Sequence, residues 1–295
     1  MSQTGSFLAF DTSTDVMSVA VTDGVQTWQH TAPGGASAST TLIPAVLALL
    51  AQAGLTLGDL QAIAFGRGPG SFTGLRTACA VAQGLAFGAN EGRGIPVLPI
   101  DTLLAVAEEA RWQSWLQGSS QLSQQSSSHS PPQSAEQNAP KTPPQSITAL
   151  LDARMDEMYV QRYVCNGDAL TPVGPCELIQ PEQLQSRPLT FEEGQATLYA
   201  GNIFSVYAER LPSDLNTITC MPTATALLRL APALAASGHC VAADQALPLY
   251  VRDKVAQTTA EREAAKLAKL AAASETTSDA TSDLAAASDP ASAPT

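Results

Sequence analysis

Positive charge, aromatic side chains and histidine are all scarce in this chain of 295 residues. Fifteen Lys and Arg stand against 27 Asp and Glu, a formal charge of −12 with a pI near 4.6. Affinity for phosphate backbones comes largely from Lys and Arg, so this balance argues against a stand-alone nucleic-acid binder. Aromatics make up 5% of a chain that is 44% hydrophobic, so Ala, Leu and Val must fill the core. The three histidines, His30, His129 and His239, are too scattered to form a helical pair. With no Cys-x-x-Cys either, a zinc ion has no obvious ligands, and no metal site is expected. The five cysteines (Cys79, Cys165, Cys176, Cys220, Cys240) form an odd, scattered set, which points to reduced thiols in a cytosolic protein. The first residues, Met1 to Ser6, lack the basic and apolar regions of a signal peptide. The longest strongly apolar run, Leu42 to Ala51, is 10 residues, against the roughly 20 that span a bilayer. The expectation is a soluble cytoplasmic protein.

Charge and composition divide the chain. Residues 112–146 carry one Glu and one Lys, and 20 of the 29 residues from Gln117 to Gln145 are Ser, Gln or Pro. Such a stretch buries too little to offset the entropy of ordering, and a disordered insertion is expected there. Residues 256–295 carry 3 basic and 6 acidic residues. Within them Thr258 and Glu261 fit a capping box before an Ala-rich helix over Glu261–Ala273, followed by a disordered Ser/Ala/Thr/Asp tail. The remaining 11 basic and 20 acidic residues leave −9 on a folded body of two subdomains, residues 1–111 and 147–255.

Within that body, Phe7 to Phe10 reads as a buried strand ending at Asp11. Strands over Met17–Thr22 and Val25–His30 flank Asp23-Gly24, a pair suited to a type I′ turn. A helix over Ser39–Ala53 ends at Gly54, with Pro44 near its first turns. A strand over Leu60–Phe65, a glycine-rich loop over Gly66–Gly74 and a helix over Leu75–Phe87 follow. A strand over Pro96–Ile100 and a helix over Thr102–Trp115 complete a β-β-β-α-β-α-β-α order. The second half offers strands at Ile147–Asp152, Met158–Cys165 (with Asn166-Gly167 as turn) and Thr197–Gly201. A helix over Ala224–Ala236 is then closed by Gly238. This loose echo of the first half hints at duplication.

Two constellations carry possible chemistry. Between a strand and a helix, Gly66-Arg67-Gly68-Pro69-Gly70-Ser71-Phe72-Thr73-Gly74 specifies a tight backbone path. Free N–H groups at the helix start, with the hydroxyls of Ser71 and Thr73, could hold an anion. A compact turn that needs little side-chain volume explains the run slightly better. It is neither a P-loop nor Gly-x-Gly-x-x-Gly, and Ser71 lacks the flanking glycines of a nucleophile elbow. Asp11, Thr12, Ser13 and Thr14 place a carboxylate and hydroxyls at a strand end, which suits a phosphate or metal-water site and a plain turn equally. Together Asp11, Thr12, Ser13, Gly68, Gly70, Ser71 and Thr73 form a candidate vestigial phosphate site. A third feature is that the first two helices are apolar all round, which means burial either within a large core or against another subunit.

These motifs, with Phe7-Leu8-Ala9-Phe10-Asp11-Thr12-Ser13-Thr14, Ala64 to Arg76, Ala82-Gln83-Gly84-Leu85-Ala86, Leu151 to Tyr159 and Pro248 to Arg252 in order, resemble the TsaB (YeaZ) family of bacterial tRNA threonylcarbamoyladenosine biosynthesis proteins. The resemblance covers most of residues 6–255. It implies an α/β fold of the actin/Hsp70/sugar-kinase type, with a duplicated β-β-β-α-β-α core. It implies a non-catalytic subunit that pairs with a TsaD-like catalytic subunit and a TsaE-like ATPase. That assembly transfers threonylcarbamoyl to N6 of adenosine 37 in tRNAs reading ANN codons, so tRNA is met through the complex. The His-x-x-x-His pair with which TsaD holds its metal is missing here. The Asp11 turn also lacks the glycine that nucleotide-binding relatives place there, so no cofactor is expected. A nucleotide-binding ATPase or kinase using Asp11 and the Gly68–Thr73 loop is the alternative. The family also carries a His near position 38, where this chain has Ala38. Its partner contact lies on the first two helices. The interface candidates are therefore Leu42, Ile43, Val46, Leu47 and Leu50 on one, with Ala78, Val81, Ala82 and Leu85 on the other. A homodimer through the same surface is the alternative state when the partner is absent, and the sequence does not choose between the two.

Overall fold

Leu8 and Phe10 face one side of the first strand and Phe7 and Ala9 the other, and all four are fully buried. A strand with both faces buried needs cover on both, and the whole fold follows from how that cover is supplied. The computed structural model describes residues 5–125, 144–186 and 197–252. The expected helix over Glu261–Ala273 and the tail after it lie outside the described residues.

The first half runs β1 (Phe7–Asp11), β2 (Val16–Thr22), β3 (Thr27–Pro33), α1 (Ala38–Ala53), β4 (Ala62–Gly68), α2 (Phe72–Gly88), β5 (Val97–Asp101) and α3 (Thr102–Gln125). Its sheet has the order β3-β2-β1-β4-β5, with β1–β2 and β2–β3 antiparallel and β1–β4 and β4–β5 parallel. The second half runs β6 (Ser146–Arg154), β7 (Glu157–Asn166), β8 (Ala169–Ile179), α4 (Gln183–Ser186), β9 (Thr197–Gly201), β10 (Thr217–Thr219) and α5 (Ala224–Ala236). Its sheet reads β8-β7-β6-β9-β10 with the same pattern of directions. The duplication hinted at by the sequence is therefore complete at the level of strands. It is incomplete for helices. Between β9 and β10 only a single 3-10 turn, Ala208–Arg210, stands where the first half has the 17 residues of α2.

The helices interlock the halves. On one face of the first sheet α1 and α2 cover Leu8, Phe10, Met17, Val19 and Phe65. The other face is lined by Ala9, Ala20, Ala62 and Ala64, and α5 of the second half packs there through Leu227 and Ala231. Small side chains on the sheet let that helix approach closely. Conversely α3 packs on the second sheet, with Val106, Ala107 and Ala110 against Ile147, Ala149 and Leu151. Arg229 on α5 clamps the two helices, bonding Glu108 Oε1 at 2.8 Å and Glu109 Oε2 at 2.7 Å.

Several elements depart from the sequence reading. The Asp23-Gly24 turn is a four-residue loop closed by the Thr22–Thr27 pair, because Asp23 Oδ1 accepts from both Val25 N and Gln26 N. The strand before the glycine run continues to Gly68 and the helix begins at Phe72, so the loop shrinks to Pro69-Gly70-Ser71. α3 continues past Trp115 to Gln125, into the segment expected to be disordered, while residues 126–143 lie outside the described residues. β8 and β10 were not expected. β8 contains Pro172, Gly174 and Pro175, which an edge strand tolerates because one side of its ladder needs no donors. β10 is three residues long. The five cysteines are free thiols, and burial pushes Cys176 and Cys220 up to about 12.

Candidate partner face and the sealed glycine loop

The glycine run and the Asp11 turn do come together, but against each other. Ser13 donates to Asp11 Oδ1 from both its backbone N (2.8 Å) and its Oγ (2.6 Å). Thr12 Oγ1 donates to Gly74 O at 2.7 Å, and Ser71 N to Ser13 O at 2.7 Å. A Cβ on Gly66 would overlap Asp11 Oδ2, one on Gly74 would overlap Thr12 O, and one on Gly70 would sit 2.6 Å from Ser13 O. The glycines exist so that two stretches of backbone can touch. Ser71 Oγ caps α2 by accepting from Gly74 N, and Ser71 and Thr73 are exposed at the helix start.

A strap from the far end of the folded body closes over this loop. Leu249 N donates to Arg67 O at 2.7 Å, and Leu249 O lies against Gly68, whose φ of 124° keeps the approach open to glycine alone. Arg76 Nε donates to Tyr250 Oη at 3.0 Å, and the Phe72 and Tyr250 rings lie 5.3 Å apart. Gln83 Nε2 and Cys79 Sγ both reach Ala246 O. Asp11, Thr12 and Ser13 are left almost without solvent exposure. Asp11 Oδ2 has no hydrogen-bond partner, and burial raises its carboxyl to about 6 despite the bonds from Ser13. Of the seven residues proposed from sequence as a vestigial phosphate site, Asp11, Thr12, Ser13, Gly68 and Gly70 thus form a packed junction with its carboxylate turned inward, while Ser71 and Thr73 stay exposed at the helix start.

Its counterpart in the second half is Asp152, two residues before the end of β6, as Asp11 ends β1. Asp152 is tied up: Oδ1 accepts from Tyr207 Oη and Arg154 N at 2.9 Å each, and its own N donates to Asn202. Burial and that carboxylate push the Tyr207 hydroxyl up to about 12.

The two helices expected to meet a partner divide cleanly. Leu42, Val46 and Leu50 of α1 and Ala78 and Ala82 of α2 are buried in the chain's own core, so these five are not surface residues. The 3.6-residue period, with the sheet below, turns them inward. Val81 and Leu85 are half-buried. Ile43 and Leu47 are outward, 42% and 52% exposed. The outward row continues through residues missing from the sequence candidates: Ala48 and Ala51 on α1, then Ala80, Gly84 and Phe87 on α2, with Phe87 73% exposed. The spacing Arg76-Ala80-Gly84-Gly88 could have revealed the small-residue side of this row, since residues four apart share a face. A Cβ on Gly84 meets nothing within 4 Å, so that side stands open. With its preceding turn, Gly35–Ala53 is long and apolar enough to cross a membrane, at a mean hydropathy of 1.5. Here its inner row is packed on the sheet.

Comparisons with known proteins agree with one another. Residues 26–119 match the family described as TsaD, tRNA N6-adenosine threonylcarbamoyltransferase. The tRNA threonylcarbamoyladenosine biosynthesis protein TsaB of Haemophilus influenzae is 30% identical over 256 residues, covering 84% of this chain and 94% of that protein. The protein of the same description from Escherichia coli is 28% identical over 255 residues, covering 84% and 95%. Among solved structures, YeaZ from Pseudomonas aeruginosa is 31% identical with a TM-score of 0.64, over 84% of this chain and all of that one.

Proposed function

The chain belongs to the TsaB family, and from that membership we propose that it serves tRNA threonylcarbamoyladenosine synthesis as a non-catalytic cytoplasmic subunit. In this reading it pairs with a TsaD-type transferase and a TsaE-type ATPase. The observation that carries the reading is the outward row of Ile43, Leu47, Ala80, Gly84 and Phe87. Large and small apolar groups lie side by side on two adjacent helices, a surface suited to another helix pair. The sealed Asp11 turn supports it from the other direction. A nucleotide-using relative needs an open path to that carboxylate, and here the strap and the glycine loop occupy it. The charge of −9 over residues 1–111 and 147–255 supports a reading in which the partner makes the tRNA contact. Reconstitution tests the reading. With TsaD- and TsaE-type proteins of the same organism and the enzyme that makes the threonylcarbamoyl adenylate, modified tRNA should form only when this chain is present. Undiminished product without it would refute the role.

A further inference from the structure

Past the ends of α1 and α2 the surface opens into a groove of about 680 Å³. Leu47 and Ala51 at the end of α1, Leu55 and Asp59 in the connection to β4, and Gly88 and Glu91 beyond α2 all line it. The lining holds several apolar side chains, two carboxylates, and no Lys, Arg or His. Its shape is built in. Asp59 Oδ2 accepts from Thr56 N at 2.8 Å and Thr56 Oγ1 at 2.6 Å, which fixes the carboxylate. Asn90 and Glu91 hold φ values of 55° and 58°, a left-handed backbone that costs free energy in residues with a side chain. The 58 turn and the 90 loop touch, with a Cβ on Gly58 placed 3.8 Å from Asn90 Cα. At Gly88 a Cβ would meet nothing within 4 Å.

Leu47 belongs both to this groove and to the outward row of α1. A subunit that packs on the row therefore runs on over the groove. Covering Asp59 and Glu91 without a counter-charge would bury two unpaired carboxylates, which is costly. Among the described residues the counter-charge is Arg93, 3.8 Å from Glu91 in a highly exposed pair. Such a pair is worth little and is readily exchanged.

We propose that this groove seats an apolar side chain of the partner subunit with a Lys or Arg beside it, the apolar group meeting Leu47 and Leu55 and the cation meeting Asp59 and Glu91. The proposal rests on the α1–α2 face being the partner surface, and the test separates the two. Three variants are titrated with the TsaD-type subunit of the same organism: Gly88→Trp, which fills the groove, Glu91→Lys, which reverses its rim, and Ile43→Glu, which lies on the face but outside the groove. Gly88→Trp should weaken binding roughly thirtyfold or more, the effect of losing one well-packed anchor. Glu91→Lys should weaken it about tenfold at low salt and under about twofold at 0.5 M salt, because only the cation contact is screened. All three should melt within a few degrees of the parent. Parent-like binding by Gly88→Trp, with binding lost in Ile43→Glu, overturns the groove and leaves the face. Parent-like binding by both overturns both. Should Gly88→Trp abolish only self-association in sedimentation velocity, the occupant is a second copy of this chain and the proposal fails. A Glu91→Lys effect that persists at high salt removes the cation from it.

Discussion

Gly66 on β4 packs against Asp11 on β1 so closely that the carboxylate oxygen Oδ2 fills the place of a side chain at Gly66. That oxygen has no hydrogen-bond partner, and the whole residue is buried. A carboxylate stored in this way works against the fold whenever it is ionised.

Stability should therefore depend on pH through Asp11 in an unusual direction. Unfolded, the group titrates near 3.8, and folded near 6. Between those values the folded chain keeps a proton that the unfolded chain releases, so this contribution to stability falls as pH rises. Above 6 the loss is complete, about 3 kcal/mol at 1.36 kcal/mol per unit. Urea denaturation of the parent and Asp11→Asn at pH 4 and pH 8 checks this. The variant should gain stability relative to the parent at pH 8, and an equal difference at both pH values would contradict the assignment.

Two glycines of α2 should respond oppositely to alanine. At Gly74 the new methyl would overlap the Thr12 carbonyl, so Gly74→Ala should destabilise by more than about 2 kcal/mol. At Gly84 there is open space, so Gly84→Ala should stabilise the isolated chain by about 0.5–1 kcal/mol through helix propensity. The same methyl should weaken partner binding, since it adds bulk where the glycine leaves room for a close approach. Thermal melts and a binding titration on the same two variants report both effects.

Inward and outward residues of α1 should separate stability from pairing. Val46→Ala removes buried methyl groups and should cost about 1–3 kcal/mol with pairing retained. Leu47→Glu should leave the melting temperature within a few degrees and abolish co-purification with the TsaD-type subunit. A charged residue at position 46 would instead break the core, so it makes a poor probe of the interface.

The clamp between α3 and α5 should be specific to arginine. Glu108 is 1% exposed and shares its carboxylate between Arg229 and Arg111. Arg229→Ala should cost about 2–4 kcal/mol by leaving that buried charge half-compensated. Arg229→Lys should recover only part, because an ammonium cannot span Glu108 and Glu109 with the same fork. Full recovery by Lys in denaturation experiments would reduce the clamp to a simple charge contact.

Local order was the legible part of this protein. Phe7 to Phe10, Thr197–Gly201 and Ala224–Ala236 announced themselves through short apolar runs bounded by turn residues. Where the chain broke those rules the reading failed: β8 carries two prolines, and β10 has only three residues in which to show a pattern. The proposed partner face was half legible. A helix apolar all round raises the expectation of burial on more than one side, but which of Val46 and Leu47 looks outward depends on the sheet beneath it. The closure of the glycine loop was not legible at all, because Leu249 meets Gly68 across some 180 residues of sequence and nothing local marks the pair.

The exchange of helices between the halves also sets a schedule for synthesis. The alanine-lined face of the first sheet is made early, and α5, which covers it, ends at Ala236. At roughly 5–20 residues per second, the ribosome leaves that face bare for on the order of ten seconds after the first half has emerged. A nascent chain stalled anywhere in the second half presents Phe7, Ala9, Ala62 and Ala64 as a sticky plate. The interlocking that makes the finished body one unit leaves the unfinished one with an uncovered apolar face.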